Sequence, residues 1–197
     1  MVYELAHFIK EKFRFLWDTL EWCNATLFAL THGKQISKLD DVLRLVSTEY
    51  IFRTARVSDV GRLVEFYSEQ PSESFKFFNP YKFDEKSIGK IIKNKSFISF
   101  VVFKDDILVG CFFLRCFING KCFRGKIVHK DWQGRGIAKL MGIAMTKVSQ
   151  ELGLRMFGSI SPNNFASMES AKASNTIKVH KILDNGYYYI EFLPKEE

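Results

Sequence analysis

Leu5, Ile9, Phe13, Leu16, Leu20, Cys23, Leu27 and Leu30 recur at three- and four-residue steps, the helical period, until Gly33 interrupts them. Phe8, Phe15, Trp17 and Trp22 widen that apolar stripe, and Leu39 to Val46 predicts a second, short helix. The pattern changes near residue 48. Tyr50 to Ala55 predicts a strand, followed by a helix with Ser58 as N-cap and Val60, Leu63, Val64 and Tyr67 on one face. Gln70 to Phe83 carries two prolines and five aromatics and predicts a loop or short helix, with Asp84 capping another helix through Ile92.

Ser96 to Lys104 is dense in Phe, Ile and Val, and Asp105-Asp106 predicts a tight turn into a second strand, Ile107 to Phe117. Asn119-Gly120 predicts a type I′ hairpin, which needs positive φ at both turn residues, and Lys121 to His129 a third strand. The period then lengthens to 3.6. Ile137, Leu140, Met141, Ala144, Val148 and Leu152 mark one helix face that Gly153 ends. Leu154 to Ile160 predicts a strand reached through that crossover helix, hence parallel to the one before it. Asn163 or Asn164 starts a further helix, and Asp184-Asn185-Gly186 turns into a closing strand, Tyr187 to Leu193. The elements make a mixed α/β domain over residues 49–197, preceded by a helical extension over residues 1–48.

Composition narrows the classes. The 197 residues are 47% hydrophobic and 26% charged, globular proportions that exclude a disordered chain. Lys10, Lys12, Arg14, Asp18 and Glu21 break the best apolar run, so no membrane span is expected. The first residues lack a basic region and a small-residue cleavage site, so the reading is intracellular, cytoplasmic. Cys23, Cys111, Cys116 and Cys122 have no metal-ligand spacing and are read as reduced thiols, with no metal. The +7 net charge leaves nucleic acid, an anionic membrane surface and an anionic small molecule open. The basic residues are scattered and carry no nucleic-acid signature, so no nucleic acid is expected.

The chemistry concentrates in Val128-His129-Lys130-Asp131-Trp132-Gln133-Gly134-Arg135-Gly136-Ile137-Ala138. Two glycines at a helix start let the backbone approach a ligand closely and present unpaired amides at the positive end of the helix dipole. That arrangement suits a phosphate or pyrophosphate. The Walker loop G-x-x-x-x-G-K-[ST] is absent, and the dinucleotide fingerprint would place Lys139 where close helix packing needs glycine.

Gln133-Gly134-Arg135-Gly136-Ile137-Ala138 fits Q/R-x-x-G-x-G/A, and here the chain resembles the GNAT superfamily of acyl-CoA-dependent N-acetyltransferases. Ser161-Pro162-Asn163-Asn164-Phe165-Ala166-Ser167 resembles that family's exit from the fifth strand, where an Asn and a small residue three positions later face the coenzyme. The resemblance covers about residues 50 to 197. It implies a mostly antiparallel sheet whose central parallel pair splays at a bulge, with acetyl-CoA or coenzyme A as co-substrate. Coenzyme contacts carried over are Lys126 and Val128 through their backbone, Gln133, Gly134, Arg135, Gly136, Ile137 and Ala138 in the loop, and Asn164 and Ser167. The Val128 amide would face the thioester carbonyl as an oxyanion donor.

The implied reaction is direct attack of a primary amine, on a small molecule or a peptide, on the thioester in a ternary complex. The sequence departs from the family at its acid and base. Many members carry a Tyr seven residues after the Asn; from Asn164 that position is Ala171, and no Glu stands in Lys121 to His129. His129 is the substitute base, against a solvated turn residue; Glu169 reads as a surface charge and His180 as structural. Tyr187, Tyr188 and Tyr189 alternate across the last strand and read as core packing, against one or two of them lining the acceptor side. Competing readings are a CoA-binding or partner-binding module without efficient catalysis, and a longer-chain acyl-CoA transferase. The N-terminal helix, expected outside the core, would serve its own domain, a homodimer or a peripheral membrane contact.

Overall fold

The computed structural model describes residues 14–195. Two helices come first, α1 (Arg14–Ile36) and α2 (Leu39–Arg44). Strand β1 (Ile51–Thr54) leads through a 3-10 turn into α3 (Val60–Ser68), a second 3-10 turn (Ser72–Lys76) and α4 (Glu85–Ile92). The meander follows as β2 (Phe97–Lys104), β3 (Ile107–Phe117) and β4 (Lys121–Val128). Then come α5 (Ile137–Glu151), β5 (Arg155–Ile160), α6 (Phe165–Ser174), β6 (Thr176–Ile182) and β7 (Tyr188–Leu193). One seven-stranded sheet runs in the order β1-β2-β3-β4-β5-β7-β6, and only the β4–β5 pair is parallel.

The sheet is covered on both faces. Phe100, Phe112, Leu114, Cys116 and Ile190 pack under α1, α2, α5 and α6, through Phe28, Leu39, Met141, Met145 and Ala171. On the other face, Val101, Phe103, Leu108, Cys111 and Ile127 meet Leu63, Phe66 and Tyr67 of α3 and Ile88 of α4. Cys111 and Cys116 thus face opposite sides, as their odd spacing requires, and all four thiols are free.

Sequence and structure part at several elements. The region before residue 48 was expected outside the core, yet in its described part Phe28, Leu39 and Leu43 are fully buried in the main cluster. The Asn24 amide donates to Cys116 O at 3.0 Å and accepts from the Ile118 amide at 3.2 Å, which pins α1 to β3. Leu20, Trp22, Leu27 and Leu30 of the apolar stripe stay exposed instead. Leu5, Phe8, Ile9 and Phe13 lie outside the described residues. No described helix is long and apolar enough to cross a membrane.

Ser58 does not cap α3; it lies inside a 3-10 turn held by Asp59, whose carboxylate accepts from the Arg56 amide at 2.7 Å and from Arg53 at 2.7 and 2.8 Å. That paired guanidinium keeps the Asp59 carboxyl below its ordinary range in spite of burial. Asp84 does cap α4, accepting from the Ser87 amide at 2.9 Å. The Asn119-Gly120 turn is a three-residue loop rather than type I′. Only Gly120 has positive φ (75°), and Phe117 pairs with Lys121. Strand β6 lies where the sequence reading placed no element. Its side chains are almost all exposed, and it exists by pairing with β7 across the Leu183–Tyr187 turn.

Candidate active site

The site begins where strand pairing stops. β4 pairs with β5 only at Lys121–Arg155, Cys122–Met156 and Phe123–Phe157. Beyond that point β4 continues along β3, from Arg124–Leu114 to Val128–Gly110, while β5 turns towards β7, from Gly158–Ile190 to Ile160–Tyr188. Two strand edges therefore face each other without partners, and unpaired backbone amides and carbonyls are costly unless something bonds them. The expected splay is present, but not its bulge: the β3–β4 register runs unbroken, so the strands separate by diverging.

A cavity of about 550 Å³ occupies the gap. Of the residues singled out by the sequence, Lys126, Val128, Gln133, Gly134, Gly136, Ile137, Ala138, Asn164 and Ser167 line it. At its mouth Gly134 and Gly136 hold φ of +76° and +78°, with open space where a side chain would stand. Gly136 is the N-cap of α5 and supplies no capping side chain, so the Ile137 and Ala138 amides at the start of that helix are without a side-chain cap. On the opposite wall Asn164 caps α6, its carbonyl oxygen accepting from the Ser167 amide at 3.1 Å.

Two sequence candidates stand apart. Arg135 is not on the cavity wall; its guanidinium lies 4.5 Å over the Trp132 ring and donates to Asp131 O at 3.3 Å. His129 is not on the wall either. It is buried, not solvated, with Nε2 2.8 Å from Glu69 Oε2 and the Phe66 ring 5.7 Å away.

Other groups enter the cavity. Phe77 and Phe78 come from the aromatic stretch Gln70 to Phe83, which the family resemblance makes the acceptor loop. Glu73, from the turn after α3, is the one carboxylate among the lining residues, and sequence reasoning missed it, because β4 reaches it only through the fold. Tyr187 brings a phenol from just before β7, and Ser170 a hydroxyl from α6. Ala171, the position counted from Asn164, is fully buried in the core. Counting instead from Asn163 gives Ser170, which does reach the cavity.

The floor is cationic. Cys122, Arg124, Lys126 and Val128 alternate onto one face of β4. The Arg124 guanidinium donates to Asn175 Oδ1 at 2.9 Å and lies 3.3 Å from the Phe192 ring centroid. Lys126 Nζ donates to Ala138 O at 2.6 Å. Burial, with Arg124 beside it, lowers the Lys126 amine to about 7, and burial lowers Arg124 to about 9. Away from the cavity, Glu191 accepts from Arg155 at 2.8 Å and meets His180 at 2.7 Å; these partners hold its carboxyl down to about 2. His180 is thus paired within the sheet, and Glu169 bonds Lys172 on the surface.

No family model matches the sequence, and no curated protein matches it. Solved structures do share its fold. The GNAT domain of S. lividans PAT is 20% identical, with a TM-score of 0.62 over 72% of this chain and 88% of that one. PaiA N-acetyltransferase from Thermoplasma acidophilum, in complex with coenzyme A, is 15% identical, with a TM-score of 0.61 over 73% and 98%. An acetyltransferase of the GNAT family from Bacillus anthracis is 19% identical, with a TM-score of 0.60 over 75% and 96%. The chain has the GNAT fold.

Proposed function

We propose that the protein is an N-acetyltransferase that moves an acetyl group from acetyl-CoA to a primary amine by direct attack in a ternary complex. The observation that carries this is the diverging β4–β5 pair, whose unpaired edges lead from an uncapped, glycine-built helix start into the cavity. The loop Gln133 to Ala138 takes the pyrophosphate. The backbone of Lys126 and Val128 takes the pantetheine amides, as a strand would. Asn164 and Ser167 face the same arm from α6. The solved relatives include a ribosomal L7/L12 α-N-protein acetyltransferase in complex with coenzyme A, and an aminoglycoside acetyltransferase in complex with paromomycin and acetyl-CoA. Their acceptors differ, so the donor side is what they support.

The acceptor enters from the side of Glu73, Phe77 and Phe78. Glu73 holds the ammonium, and the aromatic rings face its hydrocarbon. An alkylammonium has a pKa near 10.4, so its proton must go to a base before attack; Glu73, directly or through water, takes it. The neutral amine then forms the C–N bond while the C–S bond breaks, and the coenzyme leaves as a thiol once protonated. The Val128 amide stabilises the oxyanion. Tyr187 or Ser170 supplies the departing sulfur with a proton donor. The domain that does this is residues 49–197, with residues 1–48 an extension whose described helices brace the sheet. The test is thermal shift with coenzyme A and acetyl-CoA, followed by thiol release across a panel of amines. No stabilisation by either coenzyme species overturns the reading.

A further inference from the structure

Strand register carries one row of side chains across five strands on a single face of the sheet. Arg115 of β3 stands opposite Phe123 of β4, and Phe123 opposite Phe157 of β5. Phe157 stands opposite Glu191 of β7, and Glu191 opposite Lys178 of β6. The rows beside it add Phe117, Lys121 and Arg155 on one side, and Tyr189 and Lys181 on the other. Helices α3 and α4 cover this face over β2 and β3, but Phe117, Phe123, Phe157 and Tyr189 belong to neither core cluster. They touch one another, with centroids 5.9 Å apart for Phe117–Phe123, 6.1 Å for Phe123–Tyr189 and 5.5 Å for Phe157–Tyr189. Cations lie over them: Arg115 5.5 Å from the Phe117 ring, Lys121 and Arg155 5.6 and 5.2 Å from that of Phe157. Two carboxylates meet this face, Glu21 held by Arg115 at 2.6 Å and Glu191 held by Arg155 and His180. Among the described residues Lys121, Lys178 and Lys181 pair with no carboxylate. Scattered along the sequence, these cations and rings are gathered by pleat and register.

We propose that this face docks single-stranded nucleic acid, with phosphates on Lys121, Arg155, Lys178 and Lys181 and bases against the aromatic row. The inference stands on the sheet face and is independent of the acyl-CoA reading. An excess of cations calls for a polyanion. The rings choose among polyanions. An acidic peptide answers the lysines but leaves Phe123 and Tyr189 without stacking partners. A duplex turns its base faces inward. An anionic membrane takes up side chains that project, whereas Phe117, Phe123 and Tyr189 lie half-buried in the face. A single strand offers phosphates and free base faces together, which suits cations interleaved with rings. The face also borders the cavity. Gly125, next after Phe123 on that side of β4, and Ser159, next after Phe157 on β5, both line its wall. A docked strand therefore runs past the acceptor side of the cleft.

The experiment is fluorescence anisotropy of the full chain with labelled single-stranded RNA and DNA of about 12 nucleotides, the RNA duplex of that sequence, and a poly-glutamate peptide. A single strand is expected to bind at least tenfold more tightly than the duplex or the peptide, and the tighter of RNA and DNA names the source. Lys178→Gln should weaken that binding and lower its logarithmic salt slope by about 0.7, the share of one phosphate contact. Tyr189→Leu should weaken it about fivefold or more and leave the slope unchanged. Lys172→Gln, on the helix that covers the other face, should change neither. Saturating coenzyme A should leave the strand's affinity within about threefold. No binding of either single strand at about 50 mM salt overturns the proposal. So does equal binding of the duplex, which means charge alone, or of the peptide, which means an acidic protein partner. Displacement of the strand by coenzyme A places it in the cleft and overturns the proposal, as do wild-type affinities in both Lys178→Gln and Tyr189→Leu. Should Tyr189→Leu fail to fold by circular dichroism, Phe123→Leu and the wild-type ratio of single strand to duplex decide.

Discussion

His129 Nε2 stands 2.8 Å from Glu69 Oε2, joining the end of β4 to the end of α3. The other ring nitrogen, Nδ1, accepts from the Asp131 amide at 3.3 Å, which places the proton on Nε2 and makes it the donor to Glu69. Both nitrogens are engaged, and the ring lies against Phe66, off the cavity wall. This pair secures the start of the anion-binding loop; it does not present a lone pair to a substrate.

Replacing His129 by Gln should therefore lower the melting temperature by several degrees and leave kcat within about fivefold of wild type. A loss of a hundredfold or more in kcat, in a variant that still folds and binds coenzyme A, would return His129 to the chemistry.

Gly136→Ile tests the loop. At φ of +78° a β-branched residue costs about 1–3 kcal/mol, which for a domain of this size lowers the melting temperature by roughly 2–12 °C. Its side chain would also fill the space in front of the α5 amides. Coenzyme A affinity should fall at least a hundredfold in calorimetry while circular dichroism shows a folded protein.

Position 171 and position 170 should respond in opposite ways to tyrosine. Ala171 is fully buried, so Ala171→Tyr overpacks the core and should cost about 3 kcal/mol or more in chemical denaturation. Ser170→Tyr instead extends into the cavity and should cost less than about 1 kcal/mol while changing turnover. Equal destabilisation by the two would mean that α6 is rotated from the register described above.

Two pH limbs follow from the buried charges. Lys126 has a folded value of about 7 against an ordinary 10.5, so between these the unfolded chain binds more protons and stability rises with pH. Lys126→Met removes that slope; it should be more stable than wild type at pH 6, with the gap closing towards pH 10, in urea titrations. Glu191 has the opposite sign of effect. Its folded value of about 2 against 4.5 gives stability that is complete above about pH 4.5 and lost as pH falls through 2. Glu191→Gln should flatten the acid limb of the wild-type curve.

The meander, the crossover helix and the anion loop were legible because each has a local cause: apolar density, a turn dipeptide, a change of period, and glycines at a helix start. What the sequence hid depends on pairing at a distance. β6 has little burial to advertise it, since β7 supplies its hydrogen bonds and solvent covers its side chains. Arg124 and Lys126 read as ordinary strand charges until β5 diverges and encloses them. Glu73, far along the chain from β4 and β7, joins them only across the finished cavity. The choice between Ala171 and Ser170 turned on which of two adjacent asparagines begins the count, a one-residue ambiguity that a helix converts into opposite faces.

Among the described residues, three residue pairs between β4 and β5, with the Arg155 amide donating to Gly120 O beside them, join a four-stranded leaf to a three-stranded one, with α5 laid across both. Mechanically that seam is a partly opened zipper, and a molecule bonding both free edges would close it. Substrate binding then becomes a stitching event for the whole sheet. Amide exchange at Phe123 and Phe157, at the root of the seam and far from the loop, should slow when the loop is filled.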